Sequence, residues 1–119
     1  LLENLDLKMS DCFVMGFSQG GMMAFELGQI LQNQLAGLAI ISSRIISKEH
    51  KPNNAFLKTP IFISHGAQDA VLPISNYNDS LEVLKKYNYN YENYLIEKDE
   101  HTMSQETITF LQNFIKKNI

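Results

Sequence analysis

The sequence predicts an α/β fold, a mostly parallel sheet flanked by helices. Three observations lead to it. Short continuous apolar runs, suited to strands covered on both faces, recur at 12–15, 35–41 and 60–64. A segment with helical periodicity separates the first two runs, and two more, at 75–87 and about 104–117, follow the third. A glycine-bracketed turn, Gly16-Phe17-Ser18-Gln19-Gly20, joins the first run to a helix-forming segment. Strands that alternate with helices imply parallel pairing through right-handed crossovers.

Bulk properties narrow the function classes. The 119 residues suffice for one small domain over 1–119 with a real core, and are too few for two. At 45% hydrophobic and 19% charged, the chain reads as an ordinary soluble globular protein. A net charge of −3, with both signs mixed along the chain, leaves no basic footprint for nucleic acid. Cys12 is the only cysteine, which excludes an intrachain disulfide and a cysteine metal set. It lies in an apolar run and reads as a buried, inert thiol. No leader and no long apolar run is visible, so neither export nor a membrane span is supported, and a cytoplasmic location is expected.

Taken in order, Leu1, Leu2, Leu5 and Met9 have a helical spacing that would bury one face, and Ser10-Asp11 breaks it. Cys12 to Met15 is the first strand. The turn through Ser18 follows, in the strand–turn–helix context a nucleophile elbow requires. Its small neighbours let strand and helix approach without a Cβ clash, and the helix N-terminus points free N–H groups and its positive end at the serine. The helix runs from about Gln19 to Gln32. Met23, Leu27, Ile30 and Leu31 share one face, with Met22, Ala24 and Phe25 on others, so it should pack between the sheet and other elements.

Residues 35–41 form the second strand, and 42–59 a polar surface excursion broken at Pro52-Asn53-Asn54. The third strand is 60–64. A helix over 75–87 carries Tyr77, Leu81 and Leu84 on one face and stops at Asn88-Tyr89-Asn90, since asparagine tolerates a left-handed conformation. Tyr91 to Ile96 is a fourth, more polar strand nearer a sheet edge. The last helix, about Ser104 to Lys117, has Ser104 as N-cap and a buried stripe of Phe110, Leu111, Phe114 and Ile115.

A serine hydroxyl needs a base, and the base needs an orienting group. Of three histidines, His50 lies in the polar excursion and reads as a surface residue. His65, ending the third strand, suits a structural hydrogen bond. His101 follows the fourth strand, at the same carboxyl edge where Ser18 emerges. Asp69 follows the third strand at that edge, whereas Asp99 and Glu100 lie too near His101 in sequence to reach across to it. Ser18, Asp69 and His101 are therefore the candidate nucleophile, acid and base.

The stretches GFSQGGMMAFELG, LAGLAIISS, TPIFISHGAQDAVLP and EHTMSQETITFLQNFI resemble the α/β-hydrolase phospholipase/carboxylesterase family, which includes the acyl-protein thioesterases. The resemblance implies a serine hydrolase of carboxylic esters or thioesters, acting on small-molecule or lipid acyl substrates without metal or organic cofactor. It implies the order Ser18, Asp69, His101, with the Gln19 N–H as an oxyanion donor. Two departures stand out. Glu100 occupies the place where the family usually has glycine before the histidine. The family's strands ahead of the elbow, which bring a second oxyanion donor, have no counterpart upstream of Leu1. The chain therefore reads as the carboxyl-terminal portion of such a hydrolase, lacking the N-terminal strands. In that case the elbow strand becomes a hydrophobic edge open to self-association, and a catalytically weak or inactive remnant is the alternative expectation.

Overall fold

The computed structural model describes residues 3–119. Its strands are β1 (Phe13–Phe17), β2 (Gly37–Ile41), β3 (Ile61–Gly66) and β4 (Tyr91–Ile96), and its helices are α1 (Gln19–Leu31), α2 (Ile74–Lys86) and α3 (Gln105–Lys117). The strands form one sheet in the order β1-β2-β3-β4, every neighbouring pair parallel. This is the α/β architecture the sequence predicts. Because all four strands run the same way, their carboxyl ends share one rim. The register sets Phe17 beside Ile41, Ile41 beside Ser64, and Gly66 beside Ile96 along that rim.

The alternation of side chains along a strand divides the core into two layers. Leu38, Ile40, Ile61 and Ile63 face Phe25 of α1, Tyr77, Val83 and Leu84 of α2, and Phe56 of a short 3₁₀ turn, Phe56–Lys58. Ala39, Ile41 and Phe62 face Leu111 and Phe114 of α3 on the other side. Phe25, Phe56 and Tyr89 meet edge to face, with centroids 5.5 to 6.0 Å apart. Asn88 adopts φ 57° after α2, as its residue type predicts. Phe110, Leu111, Phe114 and Ile115 of α3 all join the second layer.

Several expectations are corrected. β1 is not covered on both faces: none of its residues is fully buried, and Met15 is 52% exposed. Its position at the sheet edge, paired with β2 alone among the described residues, is the reason. The face of α1 is also reversed. Met23, Leu27 and Ile30 point outward, while Gly21, Ala24, Phe25 and Gly28 are buried. Small residues take the inner face because the helix lies close to its neighbours; a Cβ on Gly28 would stand 2.3 Å from the Phe56 ring. Leu35 and Ala36 precede β2 rather than belonging to it. Leu1 and Leu2 of the predicted N-terminal helix lie outside the described residues. From residue 3 onward two 3₁₀ turns, Glu3–Leu5 and Met9–Asp11, stand in its place, as expected for a segment too short to recover the cost of helix nucleation. Ser104 occupies the N-cap of α3, but its hydroxyl makes no capping bond.

The two faces of α1 give a test. Phe25→Ala should cost about 3–5 kcal/mol and Leu27→Ala no more than about 0.5–1 kcal/mol, read from urea midpoints at constant slope. The reverse ranking would restore the helix orientation that the apolar pattern predicts.

Candidate active site

Ser18 is the single residue between β1 and α1, with φ 56° and ψ −123°. That backbone conformation is costly for a residue with a Cβ and persists only where surroundings enforce it. Two contacts are visible at once. The Ser18 N–H donates to the Ile41 carbonyl at the end of β2, 2.9 Å away. A Cβ on Gly16 would fall 2.1 Å from the Gly20 carbonyl oxygen, so the first glycine of the motif is what allows strand and helix to meet this closely.

His101 lies in the loop after β4. Its Nε2 is 3.0 Å from Ser18 Oγ, and its Nδ1 is 2.7 Å from Asp69 Oδ2. An acceptor-only carboxylate at Nδ1 calls for the Nδ1–H tautomer, which leaves the Nε2 lone pair to receive the serine proton. The imidazole is partly open to solvent and lies against the Phe17 ring, centroids 4.9 Å apart. Its loop rides directly over β3: a Cβ on Gly66 would stand 2.3 Å from the Glu100 carbonyl oxygen.

Asp69 is buried in the loop after β3. Its Oδ1 accepts the N–H groups of Val71 and Leu72 at 2.9 and 2.8 Å, which leaves Oδ2 for His101. Burial alone would push this carboxyl up, but the Leu72 N–H, the His101 contact and the Val71 N–H outweigh it and hold it below its ordinary range. His65, also buried, brings Nε2 within 2.7 Å of the Leu72 carbonyl, so Nε2 carries the proton and donates there. At 3.5 Å from Asp69 Oδ2 it is close but not competing for the bond.

The structure thus brings Ser18, His101 and Asp69 together from three rim loops, and places Gln19 as the first residue of α1, where no intrahelical carbonyl takes its N–H. His50, expected at the surface, is instead half-buried elsewhere. Its ring contacts the Ser47 carbonyl and the Tyr89 hydroxyl, each at 2.9 Å. Pattern reading did not single out the Val71 and Leu72 N–H groups, because backbone donors leave no letter in a sequence. A groove of about 260 Å³ opens beside the imidazole, lined by Gln68, Ala70, Val71, Glu100, His101 and Thr102. Among the described residues no cluster of His, Cys, Asp or Glu is placed to hold a metal ion, and no helix is long and apolar enough to cross a membrane.

The family model described as phospholipase/carboxylesterase matches residues 2–119. Acyl-protein thioesterase 1 of Saccharomyces cerevisiae is 32% identical over 95% of the chain, and the match spans 52% of that protein. In fold, the chain superposes on Arabidopsis thaliana SOBER1 with a TM-score of 0.87 at 22% identity, covering 98% of this chain and 57% of that one. The Bacillus cereus carboxylesterase gives 0.84 at 16% identity, with coverages of 99% and 55%. The chain spans about half the length of the curated relatives it matches.

The lowered Asp69 carboxyl sets an acid-stability prediction. Between its folded value and the ordinary value of about 4, the unfolded chain binds more protons than the folded one, so stability rises with pH there. The Asp69 contribution should be complete above about pH 5 and lost as pH falls through the folded value. Urea midpoints from pH 2 to 6 should show a shallower slope in Asp69→Asn; an unchanged slope would contradict it.

Proposed function

The chain belongs to the phospholipase/carboxylesterase family of α/β hydrolases, and from that membership we propose that Ser18, His101 and Asp69 act as a catalytic triad on carboxylic esters or thioesters. The observation that carries this reading is the unbroken hydrogen-bonded chain from Ser18 Oγ through the imidazole to a buried carboxylate.

In the proposed reaction Ser18 Oγ attacks the acyl carbonyl carbon while its proton passes to His101 Nε2. The Asp69 carboxylate, fixed by two backbone donors, stabilises the imidazolium and holds its tautomer. The Gln19 N–H meets the oxyanion at the positive end of α1. Collapse of the tetrahedral intermediate expels the alcohol or thiol, which takes the proton from Nε2. Water, deprotonated by the same nitrogen, then attacks the acyl-serine and releases the acid. A thioester is included among the substrates because the Saccharomyces cerevisiae relative is named as a thioesterase.

A fluorophosphonate should label Ser18 covalently, and Ser18→Ala should abolish the label in intact-mass spectra. His101→Asn should slow labelling by at least about 10³-fold. A folded chain that takes no label would defeat the reading.

A second reading, in which the chain acts weakly or not at all in catalysis and associates with a second copy through β1, is favoured by one observation. The outer edge of β1 has no strand partner among the described residues, and Met15 and Phe17 on it are 52% and 40% exposed. Sedimentation velocity decides between them. Association that Met15→Lys reverses, with no esterase turnover, supports the second; an active monomer excludes it.

A further inference from the structure

We infer that Ser42 and Ser43, the pair following β2, are positioning residues that set the distance between the nucleophile and its base. The inference rests on the triad reading and adds to it two residues that touch neither substrate nor reacting atoms.

The argument starts from the strand. In β2, Leu38 and Ile40 face the α1 layer and Ala39 and Ile41 face the α3 layer. Continued alternation would send Ser42 toward α1 and Ser43 toward α3. The opposite is observed. Ser42 Oγ donates to the Thr102 carbonyl, beside His101 and just ahead of α3, at 3.3 Å. Ser43 Oγ donates to the Ser18 carbonyl at the head of α1, at 2.5 Å. The reversal has a visible cause: Ser42 adopts φ 50°, a left-handed conformation unusual for a buried residue other than glycine.

Three consecutive residues thereby hold both halves of the reacting pair. The Ile41 carbonyl takes the Ser18 N–H, the Ser43 hydroxyl grips the Ser18 carbonyl, and the Ser42 hydroxyl grips the peptide next to the imidazole. Ser18 sits in its own strained conformation, so fixing its N–H and its carbonyl from one side sets the direction of the Cα–Cβ bond from which Oγ projects. Gly21 makes room for the grip: a Cβ there would stand 2.7 Å from Ser43 Cβ. Both hydroxyls are buried and spent on carbonyls, so they serve geometry rather than chemistry.

The test separates positioning from stability. Ser42→Gly removes one hydroxyl but suits φ 50°, so its melting temperature should equal or exceed that of the native chain. Its fluorophosphonate labelling rate, corrected for folded fraction, should nevertheless fall about five- to tenfold, the loss of one hydrogen bond's worth of alignment. Ser43→Ala should fall at least as far, and the double variant by less than the product of the two, because the residues act on one distance. The downfield Nδ1 proton resonance of His101 should persist in each, since its Asp69 bond is untouched. Variants labelled as fast as the native chain, or slowed only in proportion to unfolding, would overturn the inference while leaving the triad intact. A native chain that takes no label would overturn both.

Discussion

The backbone conformation of Ser18 is the constraint on which the rest depends. A residue with φ 56° and ψ −123° between a strand and a helix reverses the chain within one peptide and leaves its side chain at the rim. Such a conformation costs on the order of 1–3 kcal/mol, a large share of the 5–15 kcal/mol that holds a small domain together. It survives here because the neighbouring strand and helix over-determine it. The Ser18 carbonyl accepts from Gly21 and Met22 of the first helical turn and from the Ser43 hydroxyl, while its N–H is committed to β2. Parallel pairing then carries the consequence outward. Once β1 and β2 are in register, β3 and β4 must end on the same rim, and the loops after them must pass near Ser18.

Electrostatics finishes what topology begins. A carboxylate buried without partners would be neutral or expelled, and Asp69 avoids that by dividing its oxygens. One oxygen is saturated by two backbone N–H groups, so the other has a single direction in which to bind His101. His65 contributes by holding the Leu72 carbonyl, which keeps the turn carrying those donors closed. The result is a charge whose position is set by backbone, facing an imidazole whose position is set by that charge.

The sequence reveals the parts of this that have a period or a spacing. The alternation of elements, the stripe of α3, the stop at Asn88 and the Ser18–Asp69–His101 order could all be read before any coordinates. What could not be read has a physical pattern. The outward face of α1 is richer in large apolar residues than its inward face, because a helix pressed against its neighbours needs glycine and alanine where it touches. A hydrophobic count therefore points the wrong way. The Ser104 cap failed for a related reason: a favourable residue type at the right position does not guarantee the rotamer. Ser42 and Ser43 look like the polar start of a loop, and only the sign of one dihedral angle turns them toward Ser18 and His101.

The distribution of left-handed residues strengthens the link between strain and site. Gln32 and Asn88 close α1 and α2, where a left-handed residue is the ordinary way to terminate a helix. Ser18 and Ser42 are different. They end adjacent parallel strands, sit side by side on one rim, and have no helix to terminate. Ordinary folding economy would place glycine at both, and glycine would relieve the strain without disturbing the sheet. Serine at each position therefore keeps a hydroxyl at the expense of backbone energy. At Ser18 that hydroxyl meets the imidazole, and at Ser42 it meets the loop that carries the imidazole. Two independent departures from the easiest backbone, made on one rim and serving one contact, are what a selected geometry looks like. A strand end that merely turned the chain would require neither.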